Sequence, residues 1–319
     1  MGAALCLLSA ACFGAMAVFG KLAYDAGVSP TALLLVRFGL AAVLLGLVLL
    51  TRPGLRGAAP GGGRPATRRG RVVAVALGLG AIGYATQASL YFSALKLMDA
   101  SLLALILYTY PVLVTVAAVL LGRDRLSPRR GAALVAASGG TLLVLHGAGG
   151  AGFHPLGALL AFAAAVTYTV YILVSDTVVH RLAPVALSAL VMTGAAGTLG
   201  ARALVTGGVD LSFGWRGWFW LAAIAVISTV VAMLAFFAGL KRTGPSTAAI
   251  LSTFEPVVTA ALATLTLGEA LTPAQLAGGA LVLASVAVLQ LRPGGARARE
   301  RAPGQPARDG LTEPTPASR

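Results

Sequence analysis

Hydrophobic positions along the chain form ten runs, each close to the length that crosses a bilayer as a helix, and short polar segments separate them. The runs are apolar on all sides, which predicts helices and excludes a transmembrane barrel, whose strands alternate apolar and polar residues. The predicted helices cover approximately residues 3–24, 31–50, 72–95, 100–121, 130–146, 156–174, 185–205, 218–240, 246–267 and 273–291. The predicted fold class is therefore an all-α polytopic membrane protein with ten transmembrane helices.

Composition strengthens this prediction. The 319 residues are 58% hydrophobic and only 11% charged, which is more apolar surface than a soluble domain can bury. The only cysteines, Cys6 and Cys12, lie in the first run on different faces of a helix, so they predict apolar packing and no disulfide framework. No basic side chain precedes this run, which favours a retained helix over a cleaved signal peptide.

The basic residues indicate how the helices are oriented. The formal net charge is +14, but most arginines lie in short connections and in the last part of the chain. That distribution is typical of the cytoplasmic side of a membrane protein and argues against a nucleic-acid partner. It predicts that both termini are cytoplasmic. Residues 292–319, rich in Arg, Pro and Gly, are predicted to form a disordered cytoplasmic tail.

The two halves of the chain repeat one another. Ser101 and Pro111 recur as Ser246 and Pro256 at a constant offset, and the surrounding segments also match. Each half contains five predicted helices, an odd number, so consecutive copies must cross the membrane in opposite senses. The predicted repeats cover residues 3–146 and 156–291. Inverted repeats of this kind allow alternating access in membrane carriers.

Glu255 is a carboxylate near the middle of the ninth predicted helix. A charge at that depth is costly unless it is paired, protonated or facing water. Pro256 weakens the helix beside it, and Pro111 occupies the equivalent position in the first half. The prolines are predicted hinges, because they leave the carbonyls of Leu107 and Ser252 without their usual helical partners. Glu255 either contacts a substrate amine, carries a proton, or serves as a structural hydrogen-bonding group.

Two basic residues also lie inside predicted helices. Lys21 is about 5 Å from the outer end of the first helix, where it can reach the surface or line a pathway. Arg37 is about 10 Å inside the second helix, so we expect it to face the bundle, where it pairs with Glu255 or binds an anionic group. Gly14 shares a helix face with Lys21, and that face is a candidate lining of the outer half of the pathway.

Several tyrosines and a glutamine complete the candidate site. They either pack in the core or line a cavity suited to an amphipathic, amine-bearing solute. These residues are Tyr84, Gln87 and Tyr91 on the third predicted helix, Tyr108 and Tyr110 on the fourth, and Tyr168 and Tyr171 on the sixth. No His pair with metal spacing and no nucleophile–base pattern accompanies them, so neither a catalytic site nor a cofactor is predicted.

A series of short motifs resembles the EamA-type repeat. In the first half they are Phe13-Gly14, Lys21, Ser29-Pro30, Arg37-Phe38, Asp99-Ala100-Ser101, Tyr110-Pro111-Val112 and Gly122-Arg123-Asp124-Arg125-Leu126-Ser127. In the second they are Gly244-Pro245-Ser246, Phe254-Glu255-Pro256-Val257 and Leu267-Gly268-Glu269-Ala270-Leu271-Thr272. Their order and spacing are similar to those of the drug/metabolite transporter superfamily. The resemblance implies a ten-helix carrier of the bacterial inner membrane, often an amino-acid or drug exporter, with a cavity between its halves.

The two copies differ in their charges. Lys21 and Arg37 align with Ser175 and Val191, and Tyr110 stands where the second half has Glu255. Chemistry that depends on charge is therefore expected to be asymmetric. The favoured hypothesis is an exporting secondary transporter for a small-molecule solute, with proton coupling as one option. The alternative is a non-transporting intramembrane enzyme or assembly scaffold. The substrate, the coupling ion and the oligomeric state stay open.

Overall fold

The computed structural model describes residues 1–56, 66–121, 128–147, 154–179, 181–243, 251–252 and 254–290. The predicted tail 292–319 lies outside these residues, as do the connecting motifs at 122–127 and 244–246. In chain order the helices are α1 (Gly2–Asp25), α2 (Pro30–Thr51), α3 (Ala66–Gly78, Leu79–Tyr84 and Ala85–Leu97), α4 (Ala100–Leu107 and Tyr110–Leu120), α5 (Pro128–Gly147), α6 (Pro155–Val179), α7 (Pro184–Val205), α8 (Trp215–Ala225, Val226–Val231 and Ala232–Thr243), α9 (Glu255–Leu267) and α10 (Pro273–Gln290). A short 3₁₀ turn, Pro53–Arg56, follows α2.

Helices account for nearly all of the regular structure in the described part of the chain. Six are long and apolar enough to span a membrane, and shorter apolar helices accompany them. Ser29 begins α2 by accepting a hydrogen bond from the Ala32 amide at 3.2 Å, and Pro30 occupies the first helical position. The short connection between α1 and α2 favours antiparallel directions for these helices. The prediction of an all-α polytopic membrane protein is confirmed.

Two helices contain a π-helical turn that the hydrophobic pattern did not predict. The turn in α3 is Leu79–Tyr84, and the turn in α8 is Val226–Val231. In α8 the hydroxyl of Thr229 donates to the carbonyl of Ile224, five residues earlier, at 3.0 Å. Single π turns are rare and frequently lie at functional sites. The two π turns therefore make α3 and α8 candidate positions for functional residues.

The fourth predicted helix is broken, not continuous. Its two segments are separated at Tyr108–Thr109, and the second begins at Tyr110 with a proline in its first turn. The described part of α9 begins in the same way, at Glu255 followed by Pro256. Proline has no backbone N–H, so it fits the first turn of a helix, where that donor would have no partner. Each proline therefore begins a helical segment, and the hinge role stays a prediction.

Each half of the chain packs its helices against helices of the other half. Helix α1 packs on α8 and α9, while α6 packs on α3 and α4. Helix α2 faces α7, and α5 faces α10. The hydroxyl of Ser9 in α1 also donates to the carbonyl of Ala232 in α8 at 2.8 Å. Exchanging the two halves leaves this list of contacts unchanged, which is the pattern that a two-fold relation between repeats would produce.

Candidate functional site

Glu255 begins α9 and lies close to Tyr108 of the other half. The Tyr108 hydroxyl is 3.2 Å from Oε2 of Glu255 and 2.5 Å from the carbonyl oxygen of Ser252. The Ser252 carbonyl is one of those that the prolines were expected to release, and here a tyrosine hydroxyl from α4 contacts it. As a residue Glu255 is half-buried, and its carboxylate lies against Tyr108 within the protein.

Helix α1 packs directly against the turn that carries Glu255. The Thr259 hydroxyl lies 3.0 Å from the Gly14 carbonyl oxygen and 3.1 Å from the Glu255 carbonyl oxygen. A Cβ at Gly14 would come within 2.8 Å of that same Glu255 oxygen. Real Cβ atoms do not approach so closely, so glycine is what allows α1 to lie here. The structure thus places Gly14 against the backbone of Glu255.

Five of the predicted tyrosines form one continuous aromatic series. Tyr108 and Tyr110 have ring centroids 5.6 Å apart, and Tyr110 is 4.8 Å from Tyr168. Tyr168 stacks on Tyr171 at 5.9 Å, and Tyr171 is 5.5 Å from Tyr84. These separations are the usual ones for aromatic pairs. The series runs from the Glu255 contact across α4 and α6 to α3.

Arg37 lies at the far end of this series and is almost completely buried, with 2% of its surface exposed. Its Nε donates to the Thr229 hydroxyl at 3.0 Å, and Nη2 donates to the Tyr84 hydroxyl at 3.3 Å. The guanidinium carbon is 5.1 Å and 5.6 Å from the ring centroids of Phe38 and Phe92, within cation–π range. Arg37 therefore joins the π turn of α8 to the π turn of α3.

The expected pair between Arg37 and Glu255 is not formed, because Arg37 donates to Thr229 and Tyr84 instead. Tyr91 is buried within electrostatic range of both charged groups. Gln87 is also buried, on the same helix.

The sequence analysis missed Thr229. Nothing in its surroundings distinguishes it from other threonines in apolar helices, since its role depends on the π turn.

Lys21 is half-buried near the end of α1 and within electrostatic range of Asp99, which lies between α3 and α4. Burial and the neighbouring Glu269 carboxylate raise the pKa of Asp99, and the Lys21 ammonium opposes them. The electrostatic interaction of Lys21 with Asp99 therefore lies at the end of the bundle. We place no direct contact between Lys21 and Glu255.

Glu269 connects the halves at the same end of the bundle, a role that the sequence analysis also missed. Its carboxylate accepts hydrogen bonds from the Ala100 amide at 2.9 Å and from the Ser101 amide at 3.0 Å. The Ser101 hydroxyl donates to it at 2.9 Å. Gly268, with φ of 67°, ends α9 and turns the chain so that Glu269 reaches α4. A carboxylate at a helix N-terminus satisfies free amides and complements the helix dipole.

Comparisons with known proteins agree with this architecture. The sequence model of the EamA-like transporter family matches residues 1–146 and 155–291. The chain is 28% identical over 291 residues to the uncharacterized transporter YcbK of Bacillus subtilis (strain 168), covering 87% of this chain and 88% of that protein. It is 29% identical over 220 residues to an uncharacterized transporter of Archaeoglobus fulgidus, covering 69% of this chain and 77% of the relative.

A solved structure has the same fold. It is a crystal structure of a protein with a TM-score of 0.61 and 23% sequence identity, covering 90% of this chain and 96% of that chain. At this identity the match supports the fold alone.

Proposed function

Because the chain belongs to the EamA-like transporter family, we propose that it is a secondary transporter that exports a small organic solute across a bacterial inner membrane. Both termini are cytoplasmic in this proposal, as the basic connections predict. The solute is an amino acid or an amphipathic amine, and it binds between the two halves. Access alternates between the two sides as one half moves against the other.

The observation that carries the proposal is the position of Glu255. Glu255 is half-buried in an otherwise apolar bundle, its carboxylate contacts Tyr108 of the other half, and Arg37 donates to Thr229 and Tyr84 and not to it. An ionisable group at such a place is by default a candidate for substrate or proton binding. The adjoining tyrosine rings supply faces that attract a cationic amine and cover its apolar part.

The division into two inverted repeats, 3–146 and 156–291, is part of the proposal. The exchanged contacts of α1 and α6, the π turns of α3 and α8, and the proline-started segments of α4 and α9 support it. Two similar bundles that contact each other through equivalent helices can exchange conformations, and this exchange opens the site first to one side and then to the other.

The test is flux in liposomes that contain the purified full chain. Amino acids and cationic drugs are screened with and without a pH gradient, first for the wild type and then for Glu255→Gln. We expect saturable flux of one solute class in the wild type and its loss, or its uncoupling from the gradient, in the variant. Asp25→Asn removes a carboxylate from the exposed end of α1 and should transport normally.

Two results would contradict the proposal. Unchanged flux and pH dependence in Glu255→Gln, with the same helical content by circular dichroism, would remove Glu255 from the mechanism. Absence of saturable flux for any solute class in the wild type would favour the scaffold or enzyme alternatives.

A further inference from the structure

Helices α3 and α7 touch closely over one part of their length and separate over the next. A Cβ on Gly80 would overlap the carbonyl of Val191, and one on Gly194 would overlap the carbonyl of Leu77. Beyond the π turn of α3, the contact between the two helices is much reduced. The glycine contact and the π turn together leave a cleft between the second part of α3 and the end of α7.

This cleft has a volume of about 260 Å³ and an uneven lining. Thr86, Ser89 and Ser93 form one stripe along α3, at helical spacings of three and four residues. Thr198 and Arg202 lie one turn apart on α7 and face the same space. Leu90 and Leu199 supply the apolar part of the wall. None of the lining residues belongs to the Glu255 cluster.

Arg202 is the charged group of the cleft. It is exposed, lies in the last turn of α7, and is the only charged residue in the lining. A basic side chain near a helix end reaches the lipid headgroups, where it attracts anionic phosphates. The cleft therefore has a cation where the headgroups lie, hydroxyls below it, and apolar walls along the helices.

We propose that this cleft is a binding site for an anionic phospholipid. The lipid phosphate pairs with Arg202, and part of one acyl chain lies against Leu90 and Leu199. The hydroxyls of Thr86 and Ser93 donate to the ester oxygens, whereas the Ser89 hydroxyl donates to the Ala85 carbonyl of its own helix. The volume is near the lower end of the roughly 300–1,000 Å³ of ligand pockets, so the cleft holds only part of the lipid and leaves the rest in the bilayer.

Charge complementarity favours this occupant over a free solute. The cleft opens on the flank of α3 and α7, where bilayer lipid is the surrounding medium, and exposed side chains such as Ile82 and Leu204 lie on the same two helices. A zwitterionic lipid offers the same phosphate, but its own cation competes with Arg202. Anionic headgroups should therefore be preferred, and the site is independent of transport.

The test is native mass spectrometry of the purified full chain after equilibration with mixed phosphatidylglycerol and phosphatidylcholine. We expect the wild type to retain phosphatidylglycerol preferentially and Arg202→Gln to lose that preference severalfold. Arg216→Gln, at the exposed start of α8, is the matched charge control and should behave like the wild type. Thr86→Trp, which fills the cleft without changing charge, should lower retention of both lipids.

Several outcomes would overturn the proposal. One is phosphatidylglycerol retention that Arg202→Gln leaves unchanged. Another is retention that falls equally in Arg202→Gln and Arg216→Gln, which indicates general charge attraction. Millimolar inorganic phosphate that displaces the lipid completely would indicate a site for free phosphate. Circular dichroism and a single elution peak establish that each variant is folded before its lipids are counted.

Discussion

The π turns described in α3 and α8 differ in how neighbouring helices contact them. The turn in α3 is packed against α7 through Gly80 and Gly194, with backbone against backbone. The turn in α8 is contacted from α2 by the Arg37 side chain, which donates to Thr229 and also to Tyr84 at the end of the α3 turn. Close backbone packing therefore distinguishes the π turn of α3, whereas the buried cation reaches both turns.

This difference predicts that the two π turns respond to different kinds of substitution. Backbone packing is sensitive to volume, because a single added carbon has nowhere to go. A buried guanidinium is sensitive to the charges and hydrogen bonds around it. We expect the α3–α7 contact to determine stability and the α2–α8 contact to determine how the bundle responds to a solute.

The largest effect, a loss of stability, is expected at the π turn of α3, which packs against α7. Gly80→Val places a side chain into the Val191 backbone, so the helices must separate. Overpacking of this kind costs about 1–3 kcal/mol and sometimes more. The expected result is a large fall in the thermal unfolding midpoint in detergent. Gly78→Ala is the control, since a Cβ there meets nothing within 4 Å. Equal loss in both variants would show that the close contact is not what matters.

The next largest effect, on solute flux, is expected for Arg37, which donates to Thr229 in the π turn of α8. Arg37→Met removes the links to Thr229 and Tyr84 together with the buried charge. Losing hydrogen bonds and removing the cost of a buried cation partly offset each other, so stability should change little. Solute flux should fall roughly tenfold, which corresponds to a rise of about 1.4 kcal/mol in the free-energy barrier to transport. Arg37→Lys keeps the charge but not the planar donor geometry, and it should restore flux only partly.

For this pair of variants the opposite pattern would be decisive. A large loss of stability with normal flux per folded molecule would make Arg37 a structural residue and remove the distinction between the two turns.

The smallest effect on stability is expected at Glu269, which caps the start of α4. Glu269→Ala removes the acceptor for the Ala100 and Ser101 amides, which should cost about 1 kcal/mol. Glu269→Gln keeps one acceptor oxygen and should cost less. Hydrogen exchange at the start of α4 is the measurement that checks this. Faster exchange confined to that segment is expected. Unchanged exchange there would mean that other groups hold the end of α4.

Much of the fold could be predicted because apolar runs and polar breaks reflect the bilayer directly. The hydrophobic pattern anticipated the helices, and Pro111 marked the segment where α4 is broken. The tyrosines were also predicted together as candidate site residues, because polar aromatic side chains are conspicuous in an apolar chain. The structure now gives their order along one series.

Other features could not be predicted from periodicity. A π turn adds one residue to a helical turn without any distinctive side chain, so Leu79–Tyr84 looks like ordinary helix. Thr229 and Tyr84 lie in the two π turns, so their hydrogen bonds with Arg37 were missed. Glu269 was visible in a motif, but its target, the start of α4, is distant in the chain and becomes a neighbour only after folding.

Tyr108 has one hydroxyl proton and two acceptors within reach, the Ser252 carbonyl and the Glu255 carboxylate. It can serve only one of them fully at a time. A bound cation that occupies the carboxylate would leave the phenol to the carbonyl, and an empty carboxylate would compete for it. The hydrogen bonds at the beginning of α9 would then differ between the filled and the empty site. The Thr259 hydroxyl, which contacts the Gly14 carbonyl, would transmit this difference to α1.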